Sequence, residues 1–218
     1  MEKTPLNRQQ MAARLAQEFE EGWVVNLGIG IPTLCSNYAD DVILHAENGV
    51  IGYGALLPKG EEDLHLVNAG GQHVSLKPGA AIVHHADSFA IVRGGHLDVS
   101  VMGSYEVSEG GDFANWRTSG RKGGGIGGAM DLAMGAKRVF IAMEHTTRDG
   151  SPRLLKELNL PATARGVVTL LMTNLGLIDI TSEGFCLREI APGYSPEEVQ
   201  EMTQAKLAVS PTLKEIAV

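Results

Sequence analysis

The fold class is indicated by one ten-residue stretch, Trp23-Val24-Val25-Asn26-Leu27-Gly28-Ile29-Gly30-Ile31-Pro32. Its first half is a short apolar run typical of a buried strand, and its glycines predict a tight turn where that strand ends. Asn7 and Gln10 resemble a capping pair at the start of a preceding helix, and Gly22 is a stop signal after it. A helix, a strand and a glycine turn in this order indicate an α/β fold. The predicted helix has one apolar face, formed by Met11, Ala12, Leu15, Ala16 and Phe19.

Further elements are predicted along the rest of the chain. Ser195-Pro196-Glu197-Glu198 combines a cap residue, a proline and a glutamate, which predicts a helix to about residue 207. The last ten residues are expected to form a surface tail. No repeat or polar linker divides the sequence, so a single domain over 1–218 is expected. Short apolar runs predict strands at 42–45, 64–67, 99–102, 139–143 and 167–172, and a hairpin over 175–180 and 185–190.

The charge of the chain limits its partners. The 218 residues carry a formal net charge of −8, so neither nucleic acid nor an anionic membrane surface is an expected partner. No apolar run approaches the ~20 residues of a spanning helix, and the N-terminus lacks the apolar core of a signal peptide, so a cytoplasmic location is expected. Cys35 and Cys186 are too few for a disulfide framework and are expected to be reduced, buried thiols.

Glu47 is the first candidate for chemistry. It follows the predicted strand at 42–45 and precedes Asn48-Gly49, a strong turn signal, so its carboxylate is expected at a strand end between apolar walls. Open α/β sheets bind their ligands at such strand ends. The local sequence alone is nevertheless more typical of a solvated turn residue, so the assignment depends on the rest of the chain.

A glycine-rich segment at 123–129 is the second candidate. It precedes Met130-Asp131-Leu132-Ala133, a predicted short helix, and either its N–H groups converge on an anion or it is a plain surface loop. Neither this segment nor Gly28-Ile29-Gly30 has the full dinucleotide-binding fingerprint. His84-His85, taken as part of a strand, and Glu144-His145 lack the spacing of a metal site, so no metal is expected.

Seven blocks of residues together resemble a known family, the family I coenzyme A transferases, and within it the B subunit of bacterial 3-oxoacid enzymes. The blocks are Asn26-Leu27-Gly28-Ile29-Gly30-Ile31-Pro32, Glu47-Asn48-Gly49, Asn68-Ala69-Gly70, Arg93-Gly94-Gly95-His96-Leu97-Asp98, Gly111-Asp112-Phe113-Ala114-Asn115-Trp116, Gly125-Ile126-Gly127-Gly128-Ala129-Met130-Asp131-Leu132 and Met143-Glu144-His145. The resemblance implies an open α/β fold with a mixed sheet and helices on its faces. The family usually has serine before its glutamate, whereas this chain has Ala46, so a local difference in hydrogen bonding to Glu47 is expected.

The resemblance implies roles for four residues. Glu47 corresponds to the nucleophile that carries coenzyme A as a glutamyl thioester, and the amide of Gly128 corresponds to an oxyanion donor. Asn26 corresponds to a residue that lines the pocket, and Asp98 falls near the region that contacts coenzyme A. Coenzyme A is then a substrate, and no permanently bound cofactor is implied.

The resemblance also implies a partner chain. The A subunit of the family carries Gly-Gly-Phe-x-x-x-Gly-x-Pro, which this sequence lacks, so a separate A subunit is expected to complete the active site in an α2β2 assembly. The implied substrates are succinyl-CoA or acetyl-CoA and a small carboxylic acid such as acetoacetate or 3-oxoadipate. Two alternatives stay open: a sugar-phosphate isomerase of related fold, and a non-catalytic module that binds coenzyme A or a nucleotide.

Overall fold

The computed structural model describes residues 3–118 and 125–217. Within these residues no helix is long and apolar enough to cross a membrane. The helices are Arg8–Ala16 (α1), Ile31–Leu34 (α2), His85–Arg93 (α3), Ala129–Gly135 (α4) and Pro196–Glu201 (α5), and a 3-10 turn at Cys35–Asn37 follows α2. The strands are Val24–Leu27 (β1), Ile43–His45 (β2), Val50–Leu56 (β3), Val74–Ile82 (β4), Val99–Met102 (β5), Glu106–Ser108 (β6), Phe113–Ala114 (β7), Val139–Met143 (β8), Leu154–Leu155 (β9), Val168–Thr173 (β10), Gly176–Thr181 (β11), Gly184–Ile190 (β12) and Leu207–Glu215 (β13).

Ten of these strands form one open mixed sheet in the order β13-β12-β11-β10-β8-β5-β1-β2-β3-β4. The five central strands, β10, β8, β5, β1 and β2, run parallel to one another. Antiparallel pairs extend the sheet at both sides, and β13 then pairs in parallel with β12. The edge strands are β4 and β13. This mixed sheet confirms the predicted fold class, and a second, small sheet of β7, β6 and β9 lies beside it.

Both faces of the sheet are covered, because the central strands are apolar on both sides. Phe140 of β8 packs in the cluster that contains Met11 and Leu15 of α1. Its neighbour Ile141 points the other way and packs in the cluster that contains Val92 of α3 and residues of α4. Successive strand residues alternate between faces, so helices lie on both sides of the sheet.

The two helices with predicted caps begin where expected. Asn7 and Gln10 form a reciprocal capping box at the start of α1, and Ser195 and Glu198 form another at the start of α5. The prediction that α5 runs to residue 207 is wrong, since the helix ends at Glu201. The Gln200 side chain donates to the carbonyls of Thr203 and Ala205 and accepts from the N–H of Leu207. These bonds replace the next helical turn.

One predicted strand is absent from the structure. At 64–67, where a strand is expected, Leu64 is 80% exposed, and Val67 makes only an isolated bridge to His73. Asp63 explains the difference, because its carboxylate accepts from the N–H of His65 and its carbonyl accepts from the N–H of Leu66. These two bonds form a turn in place of the strand.

The histidine pair and the C-terminal segment also differ from expectation. His84 and His85 do not lie in a strand: His84 is the N-cap of α3, with Nδ1 accepting from the N–H of Ala86 at 3.1 Å. The segment expected to be a surface tail forms most of β13, in which Val209 and Lys214 pair with Leu187 and Glu189 of β12. Most of its residues are exposed, and only Leu207 is buried, as suits a strand at the edge of the sheet.

Candidate active site

A cavity of about 600 Å³ opens at the carboxyl ends of the central parallel strands. Its walls are formed at the ends of these strands by Asn26 to Ile31 (β1), Glu47 (β2), Met102 to Tyr105 (β5) and Met143 and Glu144 (β8). Strands β1 and β5 are neighbours in the sheet, yet the chain leads from β1 toward β2 and from β5 toward β8, on opposite sides. Such a switch point is where open α/β sheets bind ligands.

The turn after β2 holds Glu47 at the cavity. The N–H of Gly49 donates to the carbonyl of Ala46 at 2.9 Å, and the Asn48 side chain donates to the carbonyl of Val67 at 2.8 Å. Gly49 has a φ of 109°, and a Cβ there would collide with the carbonyl oxygen of Val83. Glycine is therefore required in this turn.

The Glu47 carboxylate is half-buried among cavity residues. Burial raises its pKa, and the nearby His85 opposes this shift by lowering the pKa. A carboxylate that is partly removed from water is less well solvated when ionised. Glu47 is thus partly withdrawn from water, which distinguishes it from a fully solvated turn residue.

Gly128 lies directly against Glu47. A Cβ placed on Gly128 would lie 2.5 Å from Cζ of Phe89 and closer still to Oε2 of Glu47. Gly128 is also the N-cap of α4, and its N–H has no hydrogen-bond partner among residues 3–118 and 125–217. The structure therefore brings together Glu47 and Gly128, two of the predicted catalytic residues.

Asn26 reaches the cavity from β1 and belongs to a buried polar network. Its amide nitrogen lies 3.1 Å from Nδ1 of His45 and 3.1 Å from the His45 carbonyl, while Ser100 donates to its oxygen at 3.4 Å. Because an amide nitrogen only donates, the ring hydrogen of His45 is on Nε2, which donates to Ser88 Oγ at 3.0 Å. The Ser88 hydroxyl then donates to the carbonyl of Ala46 at 3.4 Å.

This network fixes the backbone next to Glu47. Burial lowers the pKa of His45 and so favours the neutral ring that the bonds require. Both amide hydrogens of Asn26 are used by His45. Asn26 therefore forms part of the cavity wall, and its predicted contact with substrate stays a prediction.

Asp98 is not brought to the cavity. It precedes β5, whereas the cavity lies beyond Met102 at the other end of that strand, about 13 Å away at 3.3 Å per residue. Its carboxylate accepts from the N–H of Val24 at 2.8 Å and from Nζ of Lys137 at 2.7 Å. Partial burial would raise the Asp98 pKa, but these bonds outweigh it and hold the pKa below its usual range. The predicted contact with coenzyme A stays untested.

Three other residues of the site were not singled out from the sequence. Phe89 packs against Gly128, His45 supports the Glu47 turn, and Arg153 lines the cavity from the segment before β9. His45 gave one usable signal: it is a polar residue in a strand that was otherwise expected to be buried. Phe89 and Arg153 gave none, because their neighbours in space are distant in sequence.

The thiols and the glycine-rich segment can also be placed. Both cysteines are free, and burial raises the pKa of the Cys35 thiol to about 12, so it is unreactive; Cys186 is partly buried. Residues 123 and 124 lie outside the described part of the chain, whereas Gly125 to Gly128 line the cavity. His145 is buried between the hydroxyls of Thr173 and Thr203.

Comparison with known proteins agrees with this geometry. A family model described as coenzyme A transferase matches residues 8–202. The B subunit of the 3-oxoadipate CoA-transferase of Acinetobacter baylyi is 46% identical over 206 residues, which cover 93% of this chain and 95% of that protein. The B subunit of the succinyl-CoA:3-ketoacid coenzyme A transferase of Helicobacter pylori strain 26695 is 42% identical over 204 residues, which cover 93% of this chain and 99% of that protein.

Solved structures give the same result. An acyl-CoA transferase from Escherichia coli O157:H7, in a thioester complex with CoA, superimposes with a TM-score of 0.75 at 25% identity. The match covers all of this chain and 44% of the larger one, so this chain spans less than half of that enzyme. Glutaconate coenzyme A-transferase from Acidaminococcus fermentans has the same fold, with a TM-score of 0.72 at 18% identity. The match covers 99% of this chain and 91% of the glutaconate enzyme's chain. The predicted resemblance is confirmed: the chain belongs to the coenzyme A transferase family.

Proposed function

We propose that this chain is the catalytic B subunit of a 3-oxoacid CoA-transferase, and that Glu47 carries coenzyme A as a thioester. The observation that carries the proposal is the half-buried Glu47 carboxylate against Gly128, in a cavity at the switch point of the sheet. The names of the relatives support the reaction class, because they are B subunits of 3-oxoadipate and succinyl-CoA:3-ketoacid CoA-transferases.

The proposed reaction begins when the Glu47 carboxylate attacks the thioester carbonyl of an acyl-CoA. The C–S bond breaks, and the electron pair leaves with the CoA thiolate, so that Glu47 and the acyl group form a mixed anhydride. The thiolate then attacks the glutamyl carbonyl and displaces the donor acid, which leaves CoA on Glu47. The acceptor acid repeats these steps in reverse, and the thioester energy is kept throughout. No step consumes ATP, and coenzyme A serves as a substrate.

The surroundings of Glu47 suit this chemistry. Partial burial limits hydration of the carboxylate, which makes the ionised group a better nucleophile. Each tetrahedral intermediate carries an oxyanion, and the free N–H of Gly128 is the donor that we assign to it. Loss of one such donor costs about 3 kcal/mol in the barrier. The network through Asn26, His45 and Ser88 holds the turn while the charge on Glu47 changes.

A partner A subunit is part of the proposal. The cavity rim carries apolar side chains that are open to solvent in the single chain, including Ile29 at 71% exposure and Ile126 at 37%. A second polypeptide over this rim would bury them and exclude water from the thioester. We propose an α2β2 assembly that acts in the cytoplasm on acyl-CoA and small carboxylic acids.

The test is a single-turnover labelling experiment on the assembled complex. Co-expression with its A subunit, followed by incubation with succinyl-CoA or acetyl-CoA, is expected to add the mass of CoA less water to a peptide containing Glu47. Glu47→Gln is expected to abolish both the adduct and the transfer of CoA to acetoacetate and 3-oxoadipate. Glu21→Gln, at an exposed glutamate, is the matched control and should keep both.

Two results would overturn the proposal. One is an active complex that forms no adduct and tolerates Glu47→Gln. The other is binding of coenzyme A without transfer in the presence of the A subunit, which would favour the non-catalytic module. Activity of the isolated chain on sugar phosphates would instead favour the isomerase.

A further inference from the structure

Arg153 is a charged residue of the cavity to which the proposed reaction assigns no role. Its backbone is fixed on both sides, since its N–H donates to the carbonyl of His145 at 3.2 Å and its carbonyl accepts from the N–H of Val107 at 3.0 Å. Its side chain lines the same cavity as Glu47. The Nε atom is buried and has no hydrogen-bond partner within the described ranges 3–118 and 125–217.

The other charged groups of the cavity do not neutralise Arg153. Arg8 and Glu144 also line it, but they face each other, with Nε of Arg8 3.5 Å from Oε1 of Glu144. Arg153 forms no ion pair with any described residue. Among the described residues nothing accepts from the Nε of Arg153, and a buried N–H of a charged group is costly when it stays unpaired. A guanidinium at a cavity wall is suited to a carboxylate, because its planar N–H groups match the two oxygens.

Arg153 lies at the opposite side of the cavity from the reacting group. Glu47 follows β2, whereas Arg153 is bonded to His145, just beyond β8, and the intervening order of strands is β8-β5-β1-β2. Three strand spacings of about 4.8 Å separate these backbone positions by about 14 Å. Both residues line this one cavity, and their side chains account for part of the separation, which leaves a space on the scale of a short acid with a carboxyl group at each end.

We propose that Arg153 binds the non-reacting carboxylate of a dicarboxylic substrate while the other carboxyl carbon reacts at Glu47. The complex then selects dicarboxylic acyl-CoA donors and acceptors, such as succinyl-CoA and 3-oxoadipate, over monocarboxylic ones of equal length. This inference rests on the proposed transferase function and names its substrate class. A substrate that lacks the second carboxylate leaves Arg153 unpaired, which is the physical basis of the selection.

The test compares two donors of equal length in the assembled complex. The ratio of kcat/KM for succinyl-CoA to that for butyryl-CoA is expected to fall about 100-fold in Arg153→Met, since a charged pair loses one partner. Arg153→Lys keeps the charge without the planar fork and should give an intermediate ratio. Arg148→Met alters an exposed arginine on the preceding loop and should leave the ratio unchanged.

The outcomes separate this inference from the function on which it rests. An unchanged ratio in Arg153→Met, or an equal loss with both donors, would overturn the role of Arg153, and equal loss would assign it to coenzyme A or to folding. If the Arg153→Met complex does not assemble, a wild-type ratio of kcat/KM values in the Arg153→Lys complex would likewise overturn the role of Arg153. Failure of the wild-type complex to load Glu47 with any donor would instead refute the transferase function. Calorimetric binding of succinate but not butyrate, lost in Arg153→Met, supports the Arg153 site in either case.

Discussion

Replacement of Gly128 by alanine tests the contact on which the site assignment depends. Gly128 has φ −86° and ψ 3°, which alanine adopts without strain, so the change adds one methyl group and little else. That methyl would lie 2.5 Å from Cζ of Phe89 and closer still to Oε2 of Glu47, whereas ordinary contact begins at 3.4 Å. The ring and the carboxylate must therefore each move by about 1 Å.

The expected effect on activity is large and the effect on stability is modest. Displacement of a reacting group by about 1 Å costs on the order of 100-fold in rate. One extra methyl in a packed site costs about 1–3 kcal/mol of folding free energy. We expect Gly128→Ala to assemble normally and to load coenzyme A onto Glu47 about 100 times more slowly than the wild type, measured by rapid quench and mass spectrometry.

Gly110→Ala is the matched control for this experiment. Gly110 is not among the residues that line the cavity, its φ lies outside the left-handed region, and among the described residues a Cβ there would meet only Oγ of Ser108, at an ordinary contact distance of 3.8 Å. Loading of Glu47 in this variant should be close to that of the wild type. Loading of Gly128→Ala at the wild-type rate would refute the reasoning, because it would mean that Glu47 does not react from the position seen against Gly128.

Two further predictions concern pH. His85 lowers the pKa of Glu47, although burial has the larger, opposite effect. His85→Gln should therefore raise the pKa of Glu47 and move the acid limb of the kcat/KM profile to higher pH. A limb that stays in place or moves to lower pH would contradict the assignment. Burial lowers the pKa of His145 from 6.5 to about 4, so the unfolded chain binds the extra proton and stability is lost as pH falls from about 6.5 toward about 4. At about pH 5 this loss of folding free energy is about 2 kcal/mol. The urea midpoint should therefore fall between about pH 7.5 and about pH 5, and His145→Gln should reduce that fall. An undiminished fall in the variant would show that other groups cause the acid sensitivity.

The central strands could be predicted from the sequence, and the edges of the sheet could not. Strands β1, β5, β8 and β10 consist mainly of apolar residues because both of their faces are buried. Strand β4 is largely exposed, and Pro78 and Gly79 in its middle indicate a turn in place of a strand. At 64–67 an apolar run was present, but the turn formed by Asp63 decided the local structure.

The site residues that belong to motifs in a fixed order along the chain could be predicted from the sequence. The site residues whose role depends on contacts between distant segments could not. Glu47 and Gly128 were assigned from ordered blocks of residues, and the structure places them in contact. The support from His45 depends on the register in which β1 faces β2, where Asn26 pairs with His45. Arg153 owes its position to a backbone bond with His145 across a loop. Neither arrangement is expressed in a local pattern.

Each of the two edge strands of the large sheet contains a proline, which limits self-association through the sheet edges. Pro78 in β4 and Pro211 in β13 each interrupt their strand where its pairing register shifts. A proline has no N–H to offer an incoming strand, and a bulge twists the edge away from it. A sheet of ten strands would otherwise present two long templates for edge-to-edge pairing. Because both edges are blocked in this way, copies of the chain are protected against growing into a continuous sheet.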